Sequence, residues 1–225
     1  MTVGKNRSGR AAAAPRRKVA VRRRSERYHH GSLRKALLEA AERILERDGI
    51  GGLTLRAAAR QAGVSHAAPK NHFGDVAGLL SELAAAGFAR FAAAMRTGIR
   101  DDDPPDRRMA AIGSGYVAFA RAHPDLFLLM FRSERLDMNR PALRVATDEA
   151  ARVLSEAVAA RRGEAVDAVL TLPQAAEIAV AWSLVHGFAM LLLDGRLKPL
   201  LSRLPAGVDA DALLAAAFRA IRRTA

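Results

Sequence analysis

Leucine, isoleucine and alanine recur at three- and four-residue spacing along most of the chain, and no segment sustains the two-residue alternation of a half-buried strand. The pattern predicts an all-α protein of about nine helices. Leu33, Leu37, Ala40, Ala41, Ile44 and Leu45 share one face of a first helix, which Ser32 can cap and Asp48-Gly49 can end. The loop Ile50-Gly51-Gly52 leads to Thr54, a cap for a short helix over 56–62. Gly63 then turns the chain, and Ser65 is placed to cap a second short helix through His72. Pro69 falls near the fourth position of that helix, where it would forfeit one backbone hydrogen bond. Asp75 opens a long helix to about Thr97, a rod of about 30 Å with Leu80, Leu83, Gly87, Phe88, Phe91 and Met95 on one face. Beyond Asp101–Pro105, helices are expected over 106–122, 124–131, 141–161, 173–193 and 209–223.

The helix over 173–193 is apolar nearly all round, so it needs burial on two sides. Its own fold can cover one side; a second copy of the chain can cover the other. A two-fold interface is expected from Leu184, Phe188 and Leu191 together with Leu214, Phe218 and Ile221 of the last helix, and the small Gly187 and Ala189 would let helices approach closely. The most apolar run, 179–193, is about 15 residues, short of the ~20 a bilayer span needs, so no membrane partner is expected.

Composition narrows the function. The chain has 225 residues and no cysteine, which removes disulfides, thiol nucleophiles and thiolate metal sites. It carries 36 Lys and Arg against 23 Asp and Glu, a formal charge of +13 that favours polyanionic partners. Most of the excess lies in residues 1–27, with ten bases and only Glu26 as acid. That stretch lacks large apolar residues other than valine and reads as a disordered basic tail. No apolar run of signal-peptide length follows its arginines, and the expected compartment is the cytoplasm. Gly113-Ser114-Gly115-Tyr116-Val117-Ala118 matches a dinucleotide fingerprint by letters, but no strand precedes it. Asp101 to Asp103 lacks the glycine turn and distal glutamate of a calcium loop. No catalytic constellation, metal site or cofactor motif emerges, and an enzyme is not expected.

The segment Thr54 to Phe73 has the organisation of a helix-turn-helix, whose second helix enters the major groove while the first braces it. Leu55, Ala58, Ala59 and Val64 would pack the pair, leaving the helix starts at Thr54 and Ser65 to face phosphate. The stretch from Tyr28-His29-His30-Gly31 to Leu80, including LTLRAAARQAGVSHAAPKNHF, resembles the DNA-binding domain of the tetracycline-repressor (TetR) family. Trp182, His186 and Gly187, with Arg121-Ala122-His123-Pro124 upstream, resemble a subgroup with a Trp-x-x-x-His-Gly signature.

This resemblance implies a homodimeric regulator that reads a palindromic double-stranded operator through residues 28–80 and binds a small, largely apolar effector through residues 81–225. Arg56, His66, Ala67 and Lys70 would read bases; Thr54, Ser65, Asn71 and His72 would lie nearer phosphate. Lys70 replaces the family's usual tyrosine, and Val76 stands where a phosphate-binding lysine usually starts the next helix. The expected effector pocket draws on Phe91, Met109, Tyr116, Phe127, Trp182 and His186, although a tryptophan and a histidine on so apolar a helix are more often core residues than ligand contacts. The rival readings are a ligand-independent architectural protein that uses the basic tail for nonspecific DNA binding, and a membrane-surface protein that uses the same tail.

Overall fold

The computed structural model describes Met1, residues 17–165 and residues 169–224, with side chains described over 32–220. Among these residues the fold is all-helical: ten α-helices and one 3-10 turn. The first helix, α1 (Arg17–Gly52), starts well before the cap expected at Ser32. The tail expected to be disordered is therefore helical from Arg17 onward, while residues 2–16 lie outside the described residues. The physical reason is propagation. Once the amphipathic stretch after Ser32 is folded, the arginine-rich segment before it extends the helix without a new nucleation step. Gly49 breaks the helix with φ 68° and ψ −177°, a conformation open essentially to glycine alone, and Ile50–Gly52 adds a last turn.

Helix α2 (Leu55–Ala62) begins where Thr54 predicts. The Thr54 hydroxyl accepts from the Ala57 N–H at 3.0 Å, and Gly63 closes the helix in the left-handed region at φ 68°, ψ 32°. Helix α3 differs from expectation. It spans only Ala68–Phe73, preceded by a turn in which the Ser65 hydroxyl accepts from the Ala67 N–H at 3.3 Å. Ser65 thus starts a turn and does not cap the helix. Pro69 consequently sits in the first turn, where an N–H has no intrahelical acceptor, so no hydrogen bond is forfeited.

Asp75 caps α4 (Val76–Arg96), its carboxylate accepting from the Gly78 N–H at 2.7 Å. α4 is the central rod, packed chiefly on α5 (Pro105–Ala122), α6 (Pro124–Met130) and α7 (Pro141–Arg162). A 3-10 turn, Ser133–Arg135, joins α6 to α7. Then follow α8 (Leu172–Leu193), the short α9 (Lys198–Leu201) and α10 (Ala210–Thr224). Only α9 and the 3-10 turn are additional to the periodic pattern, because one turn is too short to show a period. Buried residues form one cluster from Leu37 to Leu214. The boundary expected near residue 80 therefore falls inside α4, whose first turn packs on α3 and whose remainder belongs to the larger core.

By length and composition, α4 and α8 would both be long and apolar enough to cross a membrane. For α8 this corrects the shorter run read from the sequence, because the helix extends back to Leu172 and its average tolerates Glu177. α4 is a core helix, mostly buried; α8 is mostly uncovered.

Candidate functional site

The helix-turn-helix presents a polar surface. Thr54, Arg56, Ser65, His66, Ala67, Lys70 and Asn71 are exposed, and His72 is half-buried. Their backing is the core of the motif: Leu53, Ala58, Ala59, Pro69 and Phe73 are buried. Arg60, not singled out from the sequence, is exposed one turn beyond Arg56 and so shares its face. The i, i+4 spacing was the available signal.

The end of α3 is tied to the rest of the molecule by charged groups. Arg140, just before α7, donates to the Phe73 carbonyl, and its Nη1 lies 3.6 Å from Glu82 of α4. Glu82 also pairs with Arg34 of α1. The Asp137 N–H donates to Ser81 Oγ at 2.7 Å, and that hydroxyl donates in turn to the Ala77 carbonyl at 2.7 Å. The helix-turn-helix and the start of α7 thus share one polar joint.

α4, α5, α7 and α8 enclose a cavity of about 580 Å³. Phe91, Met109, Tyr116 and Trp182 line it as expected. Phe127 and His186 do not. Phe127 is fully buried behind the wall, among the rings of Phe91, Tyr116 and Phe131 at centroid distances of 6.2, 5.7 and 4.9 Å. His186 stands behind the lining with its Nδ1 2.8 Å from the Tyr116 hydroxyl. Phe88, Phe131 and Leu154 are lining residues that the sequence did not flag. Phe88 shares the apolar face of α4 with Phe91, but periodicity cannot separate cavity wall from solid core.

Burial pushes the Tyr116 phenol well above its ordinary range, with a hydrogen bond from Trp182 acting the other way. Burial alone lowers the pKa of His186. The folded protein therefore prefers neutral His186, whereas the unfolded chain takes up a proton near the ordinary pKa of about 6.5. The resulting stability is complete above that pH and declines as pH falls below it. Chemical denaturation of wild type and His186→Gln between pH 5 and 8 should show a shallower acid decline in the variant; parallel profiles would exclude this origin.

Several residues expected at a dimer interface are instead committed within the chain. Leu214 is 2% exposed and Phe188 8%. Phe218 turns inward to line the cavity, its ring seated against Gly113, where a Cβ would collide with it. Ala189 is fully buried, so it does not serve an outer helix contact. Leu184 is half-buried and Leu191 is 43% exposed. Ile221 lies outside the described side chains. What α8 leaves open is a stripe at helical spacing: Leu172, Ala176, Ala179, Val180, Ser183 and Leu191 are exposed, and Gly187 between the last two is half-buried.

Away from these surfaces, the fold brings Glu42, Glu46 and His123 together, with one potential ligand atom from each within 4.8 Å of the others. Glu42 already accepts a hydrogen bond from Arg90 at 2.6 Å, and Glu46 is exposed.

The family model for the tetracyclin repressor-like C-terminal domain matches residues 109–221, half of the chain. No curated protein matches. Among solved structures, a protein of unknown function from Rhodococcus sp. RHA1 is 35% identical, with 88% of this chain and 97% of that one covered and a TM-score of 0.70. The TetR-family transcriptional regulator PfmR from Thermus thermophilus is 18% identical, with 83% and 97% covered and a TM-score of 0.56. The transcriptional regulator FadR from Bacillus subtilis, solved in complex with stearoyl-CoA, is 12% identical, with 82% and 95% covered and a TM-score of 0.57.

Proposed function

The chain belongs to the TetR family of transcriptional regulators and is not an enzyme, and from that premise we propose that it is a homodimeric repressor of a palindromic operator, released by a small apolar effector. One observation carries this reading: the cavity is walled by Phe88, Phe91 and Met95 of α4, the helix whose first turn packs on the DNA-facing α3. An effector that favours a cavity shape with the wrong spacing of the two recognition helices lowers DNA affinity by its differential affinity for the two shapes. The joint of Arg140, Glu82 and the Phe73 carbonyl offers a second route from α7 to the same motif.

Residues 28–80 act as the reading head and residues 81–225 as the sensing and dimerising part. Arg56, His66, Ala67 and Lys70 read bases, and Thr54, Ser65, Asn71 and His72 contact phosphate or lie close to it. The pair Trp182 and His186, one lining the cavity and the other bonded to its Tyr116, supports membership of the Trp-x-x-x-His-Gly subgroup. The stearoyl-CoA of FadR is not carried over, because no lysine or arginine lines this cavity among the described residues to meet its phosphates. The cytoplasm is the compartment in which such a regulator meets its operator.

Arg56→Ala should weaken operator binding by about 1–3 kcal/mol if Arg56 reads a base, with an unchanged circular dichroism spectrum. A fluorescence-anisotropy titration that overlays wild type would remove Arg56 from the reading surface. Binding that lacks sequence preference and falls steeply with salt would favour the architectural alternative.

A further inference from the structure

The following inference rests on the reading of the cavity as the effector site, and names the chemistry of its occupant. We propose that the effector is a lipophilic cation, held by aromatic ring faces and by the carboxylate of Asp148 at the cavity mouth.

The wall contains five aromatic rings: Phe88, Phe91, Tyr116, Phe131 and Trp182, with Phe218 closing one end. Ring faces carry negative electrostatic potential, so a cation in contact with them is attracted even where it has shed water. Four methionine side chains complete much of the remaining lining, and their soft, flexible thioethers adapt to bulky guests. Such a wall would accept a neutral guest as well. The polar atoms decide between them.

Among the described lining residues Asp148 is the one charged side chain. It is exposed, and it makes no ion pair with a described residue. Its neighbour on α7 behaves differently: Glu149 is held by Arg96 at 2.6 Å and by Arg152 at 3.1 Å. Arg152, one turn from Asp148, is thus turned toward the other carboxylate. Two of the lining hydroxyls, Thr147 and Ser155, have committed their protons and add acceptors and not donors. Thr147 Oγ1 donates to the Leu143 and Arg144 carbonyls at 3.0 and 2.9 Å, and Ser155 Oγ donates to the Ala151 carbonyl at 3.2 Å. The Tyr116 hydroxyl is taken by Nδ1 of His186. An entering anion would meet a like charge at the mouth and no cation within; a cation meets a carboxylate, spare oxygen lone pairs and ring faces.

The net charge of the chain sets a demanding background. At +13 the protein as a whole attracts anions, so a preference for cations has to originate locally. Tetraphenylphosphonium and tetraphenylborate have nearly the same shape and opposite charge, and N-phenyl-1-naphthylamine is a neutral apolar probe. Trp182 is the chain's one tryptophan and lines the cavity, so its emission reports the two ions, while the naphthylamine reports through its own.

With the full-length protein, tetraphenylphosphonium should quench Trp182 with an affinity at least about tenfold above that of tetraphenylborate. Asp148→Asn should weaken the phosphonium about fivefold, the scale of a partly solvated charge contact, and leave the naphthylamine unchanged. If the borate binds as tightly as the phosphonium, or Asp148→Asn leaves the phosphonium unaffected, the charge inference is overturned, while naphthylamine binding shows the cavity reading intact. If none of the three probes binds, the cavity reading fails and the proposal falls with it.

Discussion

Gly187→Glu is expected to leave each protomer folded and split the proposed dimer, and operator binding should disappear with it. Gly187 lies on the uncovered stripe of α8, and a Cβ built there meets no atom within 4 Å. Within one chain the change therefore costs no packing, and replacing a mid-helix glycine adds up to about 0.5–1 kcal/mol of helix stability. Across a two-fold axis the consequence reverses. Leu172, Val180 and Leu191 on the same stripe are 83%, 53% and 43% exposed, an apolar surface that a second copy would cover. The glycine would let the two α8 helices approach closely, so glutamate both props them apart and places two carboxylates in a dry contact. Unpaired buried charges of this kind cost about 3–5 kcal/mol. A monomer reads one half-site, so the loss of DNA affinity should greatly exceed that of Arg56→Ala. Light scattering at micromolar concentration with a parallel operator titration tests both steps. A wild-type mass near 24 kDa would refute the dimer, and a dimeric Gly187→Glu would move the interface elsewhere.

Phe127→Ala should cost about 3–5 kcal/mol of folding stability, the usual range for emptying a phenylalanine site in a core. Phe127 has no exposed surface and packs against Phe91, Tyr116, Phe131 and His186. The hole would open directly behind the cavity, and the rings that form its wall would lose their support. For a chain of this length the melting temperature should fall by roughly 10 °C. Met109→Ala, at the cavity surface, should cost less because one side of Met109 already faces open space. Calorimetry of the two variants decides the matter: equal destabilisation would mean that Phe127 is not the buried support and Met109 not the open lining that the fold makes them.

These two residues also mark the limit of what could be read before the fold was known. The caps at Thr54 and Asp75 and the left-handed turn at Gly63 were legible in the sequence because each is a bond or a backbone conformation confined to a few neighbouring residues. Exposure of Arg56, His66 and Lys70 was legible too, since the apolar positions of a short amphipathic pair leave only one surface for polar ones. Ser65 shows where local rules run out. It is as good a cap by type as Thr54, yet the chain makes a turn there, and the helix starts three residues later with Pro69 in its first turn.

The tertiary structure alone decided the directions of α8 and α10. A helix apolar nearly all round, such as α8, has no continuous polar side to point at solvent, so its sequence says that it must be covered but not which face covers what. Leu214 and Phe218 satisfied a helical period equally well as interface or as core, and it was the gap beside Gly113 that drew Phe218 inward. Phe127 in α6 and Phe131 just past its end are only four residues apart, yet one is solid core and the other lines the cavity. The reason is the same in each case. Local bonds set where helices begin and end, whereas burial is a property of surfaces brought together from distant parts of the chain, and it exists only once α4, α5, α7 and α8 have closed around the space between them.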